Sequence, residues 1–265
     1  MAEPRMRRRA IGGALGAIAL TAGAITTGLS LSAASAATWP SPSGTPQAVT
    51  KTIPVSGTTD GGMKRYYGSG DLGTGGQDED QGPLFELADG ATLKNVIIGA
   101  PAADGVHCKG SCTLQNVWWE DVGEDAATFL GGAGATYTVE GGGARKADDK
   151  VFQHNGGGTL TIRDFAVRDF GKLYRSCGNC SKQQKRAVVV DGVEVTAPGK
   201  SLVGVNENFG DTAKLSDITI IGDDKKKIDP CVRFQGNDTG AEPEETGSGP
   251  DAKTCLYKGS DISYK

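Results

Sequence analysis

Leu93-Lys94-Asn95-Val96-Ile97-Ile98 and, 21 residues on, Leu114-Gln115-Asn116-Val117-Trp118-Trp119 read as one strand written twice. The pattern continues at Tyr137-Thr138-Val139-Glu140, Leu160-Thr161-Ile162-Arg163-Asp164-Phe165, Ala187-Val188-Val189-Val190-Asp191 and Leu215-Ser216-Asp217-Ile218-Thr219-Ile220. The segments start at 93, 114, 137, 160, 187 and 215, so the gaps are 21, 23, 23, 27 and 28. β-Branched and aromatic residues alternate with polar ones in them, which is the strand signature. Sandwich strands follow one another every 8–12 residues through hairpins, and these do not. A strand at this longer period, with Gly-rich turns between, points to coils that stack strand upon strand about 4.8 Å apart. The expected fold is all-β, a single-domain parallel β-helix (solenoid), with an irregular sandwich as the competing architecture.

Composition agrees with a turn-rich globular chain. The 265 residues include 41 Gly, about twice the ~7% average, without the G-X-Y period of collagen. Charged residues make up 23% and hydrophobic ones 37%, so the chain can bury a core. A net charge of −4 argues against nucleic acid as a partner. Residues 1–36 read as a secretory signal peptide. Arg5, Arg7, Arg8 and Arg9 precede an uncharged stretch from Ile11 to Ser32, and Ala34-Ser35-Ala36 offers a small-residue cleavage site. Cleavage removes four Arg and one Glu and takes the net charge to −7. No other segment has the length and apolarity to cross a membrane, so the expectation is a secreted, extracellular protein without membrane attachment. Nothing indicates an oligomer, and a monomer is expected.

Export changes the reading of Cys108, Cys112, Cys177, Cys180, Cys231 and Cys255. An even number in an oxidising compartment suggests disulfides, with 15 pairings open. Proximity favours Cys108–Cys112, Cys177–Cys180 and Cys231–Cys255. Zinc on the first four is the alternative. Residues 37–48 are a Pro- and Ser-rich extended lead-in, and residues 236–251 form a polar loop.

The repeat also arranges charge. Asp104 follows Leu93 by 11 positions and Asp125 follows Leu114 by 11, so the two stack on adjacent coils, with Glu124 beside them. The same phase one coil on falls at Asp148, with Asp149 and Lys150 following, and then at Gly171, with Lys172 and Arg175 close behind. One face therefore reads acid, acid, mixed, basic. Carboxylates about 5 Å apart repel by roughly 3 kcal/mol at an effective dielectric of 20. They call for a cation, a raised pKa or full solvation. Calcium is the hard, oxygen-seeking ion for such a place outside the cell, and solvated turn carboxylates are the plainer reading. Calcium beside Lys and Arg suits a polyanionic sugar. His107 and His154 have no Ser or Cys partner and do not suggest a triad. Trp118 and Trp119 face opposite ways, and the core is the expectation for both.

The ordered runs Asn95 to His107, Asn116 to Ala126, Asp149-Lys150-Val151-Phe152-Gln153 and Gly171-Lys172-Leu173-Tyr174-Arg175 closely resemble the class III pectate lyases, polysaccharide lyase family 3. The resemblance is dense from Gly82 to Cys180 and weaker beyond. It implies a right-handed parallel β-helix catalytic domain over 49–265, calcium dependence, and β-elimination on polygalacturonate (de-esterified pectin). It matches the calcium ligands to Asp104, Glu124 and Asp125, and the substrate-binding and catalytic cations to Lys150, Lys172 and Arg175. Arg175 stands where the base is proposed. The family commonly has Lys where this chain has Leu130, and Arg145 and Lys146 are the nearby candidates to replace it. An arginine base, with a pKa above ~12, implies an alkaline optimum. The rival readings are a pectin-degrading glycoside hydrolase, which needs a carboxylate pair and no metal, and a non-catalytic pectate-binding solenoid.

Overall fold

The computed structural model of the protein describes residues 38–77 and 81–265. The signal segment 1–36 lies outside the described residues. The rest is a parallel β-solenoid with three short 3-10 turns and no α-helix among the described residues. Each coil lays down three strand faces. One coil runs through Phe85–Leu87 on the first face, then through the long strand Ala91–Ile98, which turns a corner at Asn95 and so supplies both the second and the third face. The next coil repeats this as Val106–Cys108 and Cys112–Trp119.

The six segments singled out in the sequence form one parallel ladder on the second face. Its inward rungs are Leu93, Leu114, Val139, Ile162, Val190 and Leu215, paired in that order. All six are at most 1% exposed. Outward of them Thr58, Thr92, Thr113, Thr138 and Thr161 stand over one another. The first-face ladder stacks Phe85, Val106, Ala127, Phe152, Tyr174 and Val203. Aromatic side chains fill the interior between the faces: Trp119 meets Phe152 at 6.0 Å, and Phe152 meets Phe165 at 5.2 Å.

The register departs from the sequence reading in one respect. Val139, not Tyr137, pairs with Leu114, so that step is 25 residues and not 23. A slip of two residues keeps every side chain on its own face, so hydrophobic alternation cannot detect it. The signal lies at the corner. Asn95, Asn116, Gly141, Asp164, Gly192 and Asp217 all have φ between +50° and +64° and stand at the bend between second and third face. Asn, Asp and Gly are the residues that tolerate this left-handed conformation. Each follows its inward rung by two positions. Asn116 Nδ2 donates to Asn95 Oδ1 at 2.8 Å, which ties successive corners together.

All six cysteines are paired as Cys108–Cys112, Cys177–Cys180 and Cys231–Cys255, which leaves no thiol for zinc. Trp119 is in the core, but Trp118 is not. Trp118 faces outward and meets Trp39 of the lead-in edge-on at 5.0 Å. The stretch 236–251 is not all loop. Glu244–Ser248 pairs antiparallel with Asp229–Gln235, although its exposed acidic residues show no alternation.

Asp217 is exposed and its φ is +50°. Asp217→Val is expected to cost about 1–3 kcal/mol in urea unfolding. Asp217→Gly is expected to be neutral or to stabilise by less than about 1 kcal/mol.

Candidate functional site

The loops that join the third face of one coil to the first face of the next carry the charged residues. Asp104 sits in the loop ahead of Val106–Cys108, and Glu124 and Asp125 sit one coil on, ahead of Ala127–Phe129. The loops pack closely because Gly105, at φ +49°, separates Asp104 from the strand. A Cβ there would stand 2.2 Å from the Ala126 carbonyl oxygen.

Ala127 pairs with Phe152, a step of 25 residues, and Lys172 pairs with Lys150. Asp104 and Asp125 therefore stack with Lys150 and then Lys172. The third position is Lys150 and not Asp148, and the fourth is Lys172 and not Gly171. The two-residue slip moves the third position from 148 to 150, and a one-residue register shift between Phe170 and Lys172 then brings the fourth to 172. A second column runs three residues further along each coil, through His107, Thr128, Gln153 and Arg175.

Asp104, Glu124 and Asp125 are 8%, 5% and 2% exposed, and each offers a carboxylate oxygen within 4.8 Å of the others. Oδ1 of Asp104 and Oδ1 of Asp125 are buried and accept no hydrogen bond. Such orphaned oxygens are costly unless something positive meets them. His107 Nε2 holds the other Asp104 oxygen at 2.5 Å. Burial pushes the Asp125 carboxyl well up. The Lys150 ammonium counters this, and repulsion from Glu124 and Asp104 adds to it. Three buried, close carboxylates with free oxygens are the donor set of a hard divalent cation such as calcium.

Lys150 Nζ lies 3.2 Å from Glu124, 3.7 Å from Asp125 and 2.9 Å from Asp149. Burial works against its charge, but Asp125, Asp149 and Glu124 outweigh that and hold its pKa above the usual lysine value. Lys172 Nζ meets the other oxygen of Asp149 at 2.8 Å. Burial opposes ionisation of Asp149 as well, yet the hydrogen bonds from Lys172 and Lys150 bring its pKa down to about 2.

Asp149, Lys150 and Lys172 share a cavity of about 350 Å³ with Arg175. Arg175 is 8% exposed and makes no salt bridge among the described residues. Its guanidinium lies 4.0 Å from the Phe234 ring. Burial pulls its pKa down to about 10, against the opposing influence of Tyr174, Asp211 and Glu242. The structure thus brings all six sequence candidates into one continuous region. Arg145 and Lys146 do not join it. Arg145 lies over Trp39 at 4.5 Å and donates to the Glu120 carbonyl, and Lys146 pairs with Asp121 at 3.1 Å. Leu130 is half-buried and stacks between the corners that hold Lys109 and Asn155.

Sequence reasoning passed over Thr128, Gln153 and Asn155. The Thr128 hydroxyl and the side-chain carbonyls of Gln153 and Asn155 are buried without partners. The constant three-residue offset from Asp125, Lys150 and Lys172 was a signal for the column that holds Thr128, Gln153 and Arg175.

The pectate lyase family model matches residues 36–241. Probable pectate lyase E of Neosartorya fischeri is 56% identical over 207 residues, 77% of this chain and 78% of that protein. The catalytic domain of pectate lyase PelI from Erwinia chrysanthemi aligns with a TM-score of 0.70 and 36% identity, over 83% of this chain and 98% of that one. PelI in complex with tetragalacturonic acid aligns with a TM-score of 0.70 and 35% identity, over 82% of this chain and 70% of that one.

Asp149 tests the electrostatics. Its pKa is depressed on folding, so its contribution to stability is complete above about pH 4 and is lost as pH falls through about 2. Asp149→Asn is expected to remove that part of the acid-side loss in urea unfolding measured over this range. The side chain is 43% exposed, so the difference is expected to be small and to shrink with salt.

Proposed function

The chain belongs to the pectate lyase family and has that family's lyase activity, and on this premise we propose a calcium-dependent β-elimination on polygalacturonate. Export through the 1–36 segment would deliver the domain over 49–265 to pectin outside the cell. Asp104, Glu124 and Asp125 are the residues that would hold the metal. A calcium ion bound there supplies a Lewis acid that draws off the negative charge developing beside a uronate carboxylate.

The chain's own residues account for the other roles. Lys150 and Lys172 offer ammonium donors to substrate carboxylates. Neutral Arg175 takes the proton from C5 of the galacturonosyl unit. The C5–H electron pair becomes the C4–C5 double bond as the C4–oxygen bond breaks. The leaving oxygen takes a proton from water, and the guanidinium later returns its own to solvent. The observation that carries this reading is Arg175 itself, a buried arginine with no salt bridge among the described residues, facing a cavity that Lys150 and Lys172 help to line. Burial lowers the cost of its neutral form, which a base requires.

The test is ultraviolet absorbance of the 4,5-unsaturated product from polygalacturonate, with calcium and then with excess chelator. Absorbance is expected to rise only with calcium, at a rate that climbs with pH toward about 10. Arg175→Ala is expected to lower kcat by roughly 10²–10⁴-fold. New reducing ends in chelator without unsaturated product would overturn the lyase mechanism in favour of hydrolysis.

Asp125 gives a second test. Burial and the neighbouring carboxylates penalise its charged form, so Asp125→Asn is expected to raise the metal-free melting temperature. It is also expected to abolish the increase that calcium gives the unsubstituted protein.

A further inference from the structure

The Arg175 guanidinium is held by one end only. Nη1 donates to the Ser176 carbonyl at 2.7 Å and to Asn206 Oδ1 at 2.9 Å. Among the described residues Nε and Nη2 donate no hydrogen bond. Nη2 lies against Gly178, where a Cβ would stand 2.5 Å from it, and Nε lies near Gly204. The Arg175 side chain is therefore confined by two glycines and the Phe234 ring, and its rotation is set by Nη1.

Asn206 is fully buried and its own orientation is fixed on three sides. Its Nδ2 donates to the Cys177 carbonyl at 2.9 Å, so its oxygen must point at Arg175. Its backbone N donates to Asp211 Oδ2 at 3.1 Å, and the other Asp211 oxygen accepts from the backbone N of Arg186. Asp211 thus anchors the strand end that carries Asn206 without touching Arg175 by a hydrogen bond.

A neutral guanidine has two amino-type nitrogens and one imine nitrogen with a free lone pair. Both hydrogens of Nη1 are committed to acceptors, so Nη1 must remain an amino group. The lone pair falls on Nη2 or Nε, the unbonded nitrogens. Asn206 offers a neutral amide oxygen where aspartate would offer a charge at the same distance. A carboxylate 2.9 Å away would stabilise the guanidinium and hold the proton on it.

We propose that Asn206 is the positioning residue of the reaction: it fixes Nη1 of Arg175 as a hydrogen donor, leaves Nη2 and Nε to receive the substrate proton, and does so without a counter-charge. This rests on Arg175 being the base. The other charged or titratable groups around Arg175 are Tyr174, Asp211, Glu242 and Arg186, with Asp149, Lys150 and Lys172 across the cavity.

The experiment compares kcat and KM on polygalacturonate as a function of pH for the full-length protein, Asn206→Asp, Asn206→Ala and Arg175→Ala, with thermal melts as the check on folding. Asn206→Asp adds a carboxylate to the guanidinium. It is expected to move the acidic limb of the kcat profile upward by about one pH unit or more. Asn206→Ala is expected to lower kcat roughly 10–100-fold by releasing the side chain. It should leave the limb in place and KM within about twofold. An unmoved limb in Asn206→Asp, with Arg175→Ala inactive, would overturn the proposal and leave the base assignment standing. A wild-type profile in Arg175→Ala would overturn the base assignment itself. Should Asn206→Asp not fold, Asn206→Ala decides: a loss expressed in KM and not in kcat would overturn the positioning role.

Discussion

Rung-upon-rung hydrogen bonding at a two-residue parity is the constraint from which the rest of the molecule follows. Once Leu93 stands on Leu114 and Leu114 on Val139, the face taken by every neighbouring side chain is decided. The left-handed corners at Asn95, Asn116, Gly141, Asp164, Gly192 and Asp217 fix where each coil bends. Third-face strands then begin in phase, and so do the loops that leave them. That is why Asp104, Asp125, Lys150 and Lys172, far apart in sequence, occupy one column. No local motif holds these residues together, and the repeat does.

The column also explains the electrostatics. Buried carboxylates repel one another and lose solvation, which costs several kcal/mol unless charge or hydrogen bonds offset it. Here the offset is partial. Lys150, one coil along from Asp125, reaches Glu124 and Asp149 within 3.2 Å, and His107 holds one oxygen of Asp104. Two carboxylate oxygens still have no hydrogen-bond partner. Stability alone would have favoured a neutral or apolar residue in these loops, which is what the cation proposed for them would answer. The reversal from acid to base takes one step of about 4.8 Å along the column. A metal and an anionic group can therefore be held side by side.

Much of this was legible in the sequence. The repeated Leu-x-Asn-Val segments disclose the solenoid, and the acids 11 positions after Leu93 and Leu114 disclose the acidic end of the column. The three disulfides follow from proximity. The third rung of the column was misplaced because alternation has period two and Tyr137 and Val139 both point inward, and the fourth because a register shift between Phe170 and Lys172 comes on top of that slip. The fate of Trp118 was hidden because its partner, Trp39, belongs to the lead-in and not to the repeat. Asn206 was illegible for a different reason. A lone Asn after the run Ser201-Leu202-Val203-Gly204-Val205 has no distinguishing pattern, and its importance appears only when the fold brings it to Arg175.

Burial alone does not mark Arg175 as special, as a comparison with Arg186 makes plain. Both guanidiniums are buried, and burial lowers both pKa values. Arg186 uses all three nitrogens: Nε donates to Gly156, Nη2 to Asn155, and Nη1 to Cys177, Gln183 and Gln184. Of its five N–H hydrogens only the second on Nη2 is without an acceptor among the described residues. Arg175 uses Nη1 only, so a proton can leave Nη2 or Nε with every acceptor around it still satisfied. The degree of hydrogen bonding separates the two arginines, and it is what favours Arg175 for the role proposed above. The two stand on strands consecutive in the chain, Ala166–Ser176 and Arg186–Asp191, and are linked through Cys177, whose carbonyl accepts from Arg186 and from Asn206 alike. The saturated arginine makes rigid the frame in which the unsaturated one is held.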